Sequence, residues 1–250
     1  MDDIHAHHDH LTKERITSDV KKYGWHIGWL TNSNYVPDYA MTIGLYKSFG
    51  HPEIIIFGLK PEVMHHILND LGNKIRDGEN FKPYRDYKDL IDKYSVRFVE
   101  VAKDYYGDYL GYCNWFNEKN IEYPCLQLVW PDINGHFPWE EEFNESWYRM
   151  QPLLNRDPGF KFLEKPNWCV YTTQSVVDGK AVLRVYHNLD GEWQFHHEEF
   201  PTASDGRLVP IKSLVDKDTT LNDLIHLEKG KYAERRSEHG PWAVFIDEEE

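Results

Sequence analysis

Four histidines, His5, His7, His8 and His10, crowd the first ten residues. Imidazole suits zinc, nickel and copper, but a metal there would have to order a polar arm. No cysteine or carboxylate set completes such a site, so no resident metal is expected. His65 and His66 adjoin in a helical pattern. Adjacent helical residues point about 100° apart, so the two do not share a metal; His66 and Asp70 have i, i+4 spacing. In His196-His197-Glu198-Glu199, read as a strand, alternate residues face opposite sides and split the four into two pairs. Asp132 and His136, four apart in a loop, form either an acid–base pair or a loop in which Asp132 accepts from nearby N–H groups. Thr42, Gly44 and His51 bracket two strand-like runs, and a glycine inside a strand marks a bulge or a close approach of ligand or backbone. Cys113 has no basic neighbour to activate it. No serine sits in a nucleophile context, and the GxSxG, HExxH, phosphate-loop and dinucleotide patterns are absent.

Composition narrows the classes further. The chain has 250 residues, 40% hydrophobic and 15% aromatic, enough for a substantial core. Its 42 acidic and 28 basic side chains give a formal net charge of -14. That balance argues against nucleic acid, whose phosphates are bound by Lys and Arg, and against anionic membranes. It suits a basic protein partner drawn in by long-range attraction. The three cysteines, Cys113, Cys125 and Cys169, are odd in number and lack CxxC spacing. They read as reduced thiols in a cytoplasmic protein, Cys125 and Cys169 as small hydrophobes in strands. The longest apolar run, Ile54 to Leu59, is too short to span a bilayer.

The elements that must position these residues follow from periodicity and punctuation. Residues 1–14 read as a flexible arm, followed by a short helix over 15–22. Strands are expected over 23–30, 39–46, 53–57, 95–101 and 125–130. Pro61 opens the clearest helix, with apolar Val63, Met64, Ile67, Leu68, Leu71 and Ile75 on one face and Gly78 as its stop. A second helix is expected over 104–119, weakened by Gly107 and Gly111. Pro and Glu residues between Pro138 and Pro166 place a boundary near residue 155, giving an N-terminal domain of 15–155 and a smaller one of 156–250. In the latter, strands are expected over 168–173, 181–186, 192–195 and 207–210, with a hairpin turn at Asn188-Leu-Asp-Gly191. A short helix over 219–225 follows.

Thr42-Ile-Gly-Leu45, His51-Pro-Glu-Ile-Ile-Ile-Phe-Gly-Leu59, Leu126-Gln-Leu-Val-Trp-Pro-Asp132 and Phe137-Pro-Trp139 together resemble a bacterial family, domain of unknown function 4262, over about residues 23–139. His187-Asn-Leu-Asp-Gly-Glu-Trp-Gln-Phe195 and Arg207-Leu-Val209 resemble a module seen in immunity-type proteins. Neither resemblance implies a known catalytic residue. The expected fold class is α+β, with an N-terminal mixed sheet or a split barrel of flavin-reductase type, plus the smaller C-terminal α+β domain.

Two functions are expected. The first is protein binding, in the form of an immunity-type protein that occludes a basic toxin. Trp139, Glu140, Glu141, Glu142, Glu145 and Trp193 are then the interface candidates, since aromatic anchors and charge dominate such surfaces. The alternative is a flavin-dependent oxidoreductase holding FMN near Thr42, Gly44, His51, Asp132 and His136. No clustered Arg or Lys is present to take the flavin phosphate. The first reading needs no cofactor and no catalytic residue.

Overall fold

The computed structural model describes residues 2–30, 34–198 and 202–247, except the side chains of residues 2–9 and 203. The chain forms two compact units: Met1–Asn32 with Pro37–Pro158, and Ser33–Val36 with Gly159–Glu250. Among the described residues each contains one six-stranded mixed sheet and helices, so the α+β class holds for both. No helix among the described residues is long and apolar enough to cross a membrane.

The first unit runs α1 (Asp2–Tyr23), β1 (His26–Leu30), β2 (Tyr39–Ile43), α2 (Leu45–Phe49), β3 (Glu53–Phe57) and α3 (Pro61–Arg76). It continues with β4 (Asp86–Ile91), β5 (Tyr94–Glu100), α4 (Tyr106–Tyr109), α5 (Gly111–Phe116) and β6 (Cys125–Val129). The sheet order is β1-β2-β3-β6-β5-β4, with β3 and β6 parallel and the other pairs antiparallel. The sheet is open, with no closed barrel, so of the two expected forms the mixed sheet is the one adopted.

Every residue of β2, β3 and β6 is buried, which is why these strands are near-continuous apolar runs. On one face Met64, Ile67, Leu68 and Leu71 of α3 share a core with Ile54, Ile56, Leu126 and Leu128. Each such side chain contributes about 1.5–3 kcal/mol when fully buried. Gly78, at φ 102, lies just beyond the end of α3 as its sequence position requires. Gly58 has φ 72, and a Cβ there would lie 2.0 Å from the Met150 carbonyl oxygen. Gly58→Ala is therefore expected to cost about 2–3 kcal/mol. An unchanged urea midpoint would show that Met150 yields freely.

Four features of this unit differ from the sequence expectations; the strand expected over 39–46 ends at Ile43 and is followed by α2. The residues read as an arm belong to α1, which spans 22 residues. The helix expected over 15–22 is the end of α1; Ile16 is the one buried residue among its described side chains, so no apolar stripe announces the earlier turns. The helix expected over 104–119 is broken into a short 3₁₀ turn, α4 and α5, with Leu110 at φ -114 and ψ 31 between the last two. β4 was not expected, because Asp86-Tyr-Lys-Asp-Leu-Ile91 is a polar edge strand with an irregular register.

The second unit runs β7 (Cys169–Thr173), α6 (Gln174–Val177), β8 (Arg184–His187), β9 (Trp193–His196), β10 (Gly206–Pro210), α7 (Ile211–Val215), β11 (Lys231–Glu234) and β12 (Ala243–Ile246). Its order is β10-β7-β9-β8-β11-β12, with β7 and β9 parallel. The Asn188–Gly191 turn joins β8 to β9, closed by the Gly191 N–H donating to the Asn188 carbonyl at 2.9 Å. Val170, Thr172, Val185, Trp193, Phe195 and Ala233 are buried on the inner face. Tyr35 and Phe162 pack edge-on against Trp193 there, at 5.6 and 5.1 Å between ring centroids.

Candidate functional site

The five residues proposed around a flavin enter three separate hydrogen-bonded constellations. The first centres on Glu53, which is fully buried. Its Oε1 accepts from the N–H groups of Gly44 (2.8 Å) and Tyr46 (3.2 Å), and its Oε2 accepts from the Thr42 hydroxyl (2.7 Å) and the Leu45 N–H (3.3 Å). Thr42 Oγ1 in turn accepts from the Ile54 N–H at 2.8 Å. Burial pushes the Glu53 carboxyl up to about 7, against the pull of its four donors. Gly44 has φ 105, and a Cβ there would come within 2.7 Å of Val20; the close approach is to protein. The Cys113 thiol donates to the Thr42 carbonyl at 3.3 Å.

His51 is the second. It is buried; its Nδ1 donates to the Pro52 carbonyl at 2.7 Å and its Nε2 accepts from the Phe81 N–H at 3.1 Å. Burial lowers its pKa, which suits this neutral strut. The third is the loop at Asp132. Its Oδ1 accepts from the N–H groups of Asn134 and His136, and its Oδ2 from that of Asn144. Burial disfavours its charge, but these donors outweigh it and hold the carboxyl below the usual range. His136 Nδ1 stands 4.0 Å from Asp132 and 3.2 Å from the Glu142 carbonyl. Asp132 therefore organises its loop, the second of the two readings its spacing allowed.

Trp139 is 41% exposed and stacks on Phe137 at 4.8 Å. The Arg97 guanidinium lies 5.1 Å from the Phe137 ring and 5.3 Å from that of Trp139. Glu140, Glu141, Glu142 and Glu145 are exposed nearby in sequence, and Glu140 also accepts from the Phe137 N–H at 2.8 Å. Trp193 is a correction. It is 1% exposed and stacks on His187 at 3.9 Å with an interplanar angle of 9°. A hairpin position suggested exposure, but β9 places Trp193 on the inward side of its pleat. Cys169 also differs, being exposed where a buried thiol was expected.

His65 and His66 are exposed, and Asp70 pairs with Lys74 at 3.8 Å. His196 bonds Gln194 and His197 bonds the Ala181 carbonyl. Glu199 and the side chains of His5, His7 and His8 lie outside the described residues. Among the described residues no group of three His, Cys, Asp or Glu side chains could hold a metal ion.

The first unit also holds a pocket of about 310 Å³ whose lining mixes charged, amide, imidazole and aromatic side chains. Arg15, Asp19 and Tyr23 reach it from α1 at spacings of four; His65, Asn69 and Asn73 reach it from α3 in the same way. Arg76, at the end of α3, also lines it, as do Trp25 just before β1 and His26 at its start. Asp19 Oδ2 is 2.8 Å from His26 Nδ1. Burial keeps the His26 pKa below the ordinary value, with Asp19 pulling the other way. The periodic pairs were readable, but nothing in the linear order says that the two helices face one cavity.

Residues 19–144 match a family described as Domain of unknown function (DUF4262). The chain belongs to the DUF4262 family. All of the pocket lining except Arg15 falls within the DUF4262 segment. No curated protein and no solved structure matches the chain.

The second unit offers a different surface. Leu208, Tyr171, Gln194, Tyr186, Tyr232 and Phe245 are successive register partners across all six strands. Register partners share a face, so they form one row on the outer side. Leu208 is 61%, Tyr171 43% and Phe245 41% exposed. Tyr186, Tyr232 and Phe245 stack in sequence at 5.2 Å each. At the β10 end the row borders a groove of about 780 Å³, lined also by Glu192 and His196. Arg207 is engaged by Gln174 and the carbonyls of Ser204 and Gly206. Glu192 is exposed and forms no ion pair among the described residues. At the other end, every residue of β12 is exposed.

Proposed function

We propose that the protein is a protein-binding module whose C-terminal sheet docks a basic segment of a partner protein. The observation that carries this reading is the outer row from Leu208 to Phe245, aromatic and aliphatic at five of six positions and spanning the whole sheet. Contiguous exposed apolar surface of this kind marks interaction sites, and aromatic residues dominate binding energy when desolvated. Charge selects the partner. Glu192 borders the groove without a cation, Arg207 is already engaged, and the whole chain carries -14. A Lys or Arg beside an apolar anchor completes both features. In its most concrete form, suggested by the sequence resemblance, the partner is a basic toxin and the protein an immunity-type occluder. Trp139 with Glu140, Glu141, Glu142 and Glu145 then remains a second contact candidate, in the first unit.

The test is retention of host proteins on the immobilised full chain, followed by titration of the retained protein against variants. Leu208→Asp is expected to weaken binding by about a hundredfold, because it places a charge on a desolvated anchor. Glu192→Gln is expected to slow association several-fold at low salt and to flatten its salt dependence. Equal affinity of both variants and wild type, with melting unchanged, would remove the sheet face from the function. Retention of no protein would remove the binding reading.

A further inference from the structure

The tautomers around the first-unit pocket are fixed by their partners. Asp19 is a carboxylate acceptor, so the proton on His26 sits on Nδ1 and its Nε2 keeps a lone pair. The indole N–H of Trp25 donates to Asn69 Oδ1 at 3.3 Å. That orients the Asn69 amide so that Nδ2 donates to His65 Nδ1 at 3.2 Å. His65 therefore carries its proton on Nε2. Both imidazoles line the same pocket, one as an acceptor and the other as a donor. The lining also holds two guanidiniums, Arg15 and Arg76; Arg15 lies 3.9 Å from Asp19, and Arg76 lies 3.5 Å from Asp77, a neighbour outside the lining. Both guanidiniums are exposed, so in a chain of net charge -14 they are cations an incoming anion can reach.

We propose that this pocket binds a small oxyanion bearing a hydroxyl next to its charged group, either a hydroxycarboxylate or a short polyol phosphate. The anionic group is held by Arg15 and Arg76, which come from two different helices. Guanidinium forks match carboxylate and phosphate geometry. The hydroxyl donates to His26 Nε2, the acceptor that Asp19 prepares, and its oxygen accepts from the His65 Nε2–H. Asp19 does not repel the ligand as a bare charge, because it is spent on His26 and lies 3.9 Å from Arg15. A volume of about 310 Å³ limits the ligand to a compact molecule. The site is independent of the sheet-face reading and lies in the other unit.

The probes are glycerate, glycerol 3-phosphate, inorganic phosphate and glycerol, titrated into the full chain. Binding is read from the His26 and His65 imidazole resonances and the Trp25 indole. Glycerate or glycerol 3-phosphate is expected to bind with a Kd of about 1 mM or tighter, and the better of the two identifies carboxylate or phosphate as the charge. Arg76→Gln, at an exposed position, is expected to weaken that binding about tenfold while leaving melting unchanged. Asp19→Asn is expected to weaken it with a change in the His26 tautomer signature, an effect that loss of packing alone does not produce. The proposal is overturned if neither ligand moves the His26 and His65 resonances. It is equally overturned if glycerol binds as well as the anions, if inorganic phosphate alone matches glycerol 3-phosphate, or if the Arg15→Gln, Arg76→Gln double variant binds as wild type. Leu208→Asp leaves this binding intact, so failure here and failure of the docking surface are separate results.

Discussion

Replacing Glu53 by glutamine is expected to destabilise the first unit by about 3–5 kcal/mol. The carboxylate meets four donors: three backbone N–H groups and the Thr42 hydroxyl. Glutamine has the same shape but turns an NH₂ toward two of those donors, leaving them unsatisfied in a buried place. The effect propagates because Glu53 replaces part of a ladder. β2 and β3 pair through Met41 and Ile55, after which the Ile54 N–H turns to Thr42 Oγ1 and the chain at 44–46 turns onto Glu53. The pH dependence has a definite sign. Burial raises the carboxyl from 4.5 to about 7, so the folded chain holds a proton that the unfolded chain has lost between those values. Glu53's contribution is thus fully present below about pH 4.5 and declines as pH rises toward 7, by about 3 kcal/mol in total. Urea titrations of wild type and Glu53→Gln from pH 4.5 to 8 isolate this term by difference. A variant within about 1 kcal/mol of wild type at every pH would sink the assignment.

Trp193→Ala is expected to cost the second unit about 3–5 kcal/mol, the range for truncating a large buried aromatic. Its ring is stacked on His187 and met edge-on by Tyr35 and Phe162, and the surrounding β-sheet limits collapse into the space left. Denaturant unfolding followed by near-ultraviolet circular dichroism measures the loss. Were Trp193 a surface anchor, the same substitution would leave stability nearly unchanged and act on partner dissociation alone, so the two roles give opposite readouts.

The difference between these two residues shows what the linear order carries. Strong periodicity was legible: α3, β3, β5 and β6 follow from apolar spacing, and Gly78 from helix-stop chemistry. Burial on both faces made β3 readable as a strand, but not the role of Glu53 at its head. Three of its four donors are backbone groups brought near by the turn at Gly44, and backbone groups leave no mark on residue type. Gly44 itself was legible as a close approach, with the approaching group, Val20, unidentified. β11 and β12 were missed because four residues, Lys231-Tyr-Ala-Glu234 or Ala243-Val-Phe-Ile246, are too few to show an alternation. The first part of α1, read as an arm, was missed because polar and charged residues dominate it, whereas its end over 15–22 was legible as a helix. The Asp19–His26 pair needs two elements to meet, and the row from Leu208 to Phe245 needs six strands in register; neither is a property of any one segment.

The assignment of Ser33–Val36 to the second unit bears on how the protein is made. The Tyr35 hydroxyl donates to Glu164 at 2.6 Å, across 129 residues of chain. Asn34 exchanges two hydrogen bonds with the Lys229 backbone across 195. During synthesis this short stretch leaves the ribosome long before the strands that receive it, so the second unit completes its interior only after nearly the whole polypeptide has emerged. A fragment cut at residue 159 would lack Tyr35 however long it was left to fold, and the ring positions beside His187 and Trp193 would stay unfilled. Supplying residues 34–36 in trans, as a peptide spanning them, turns that dependence into a measurable reassembly.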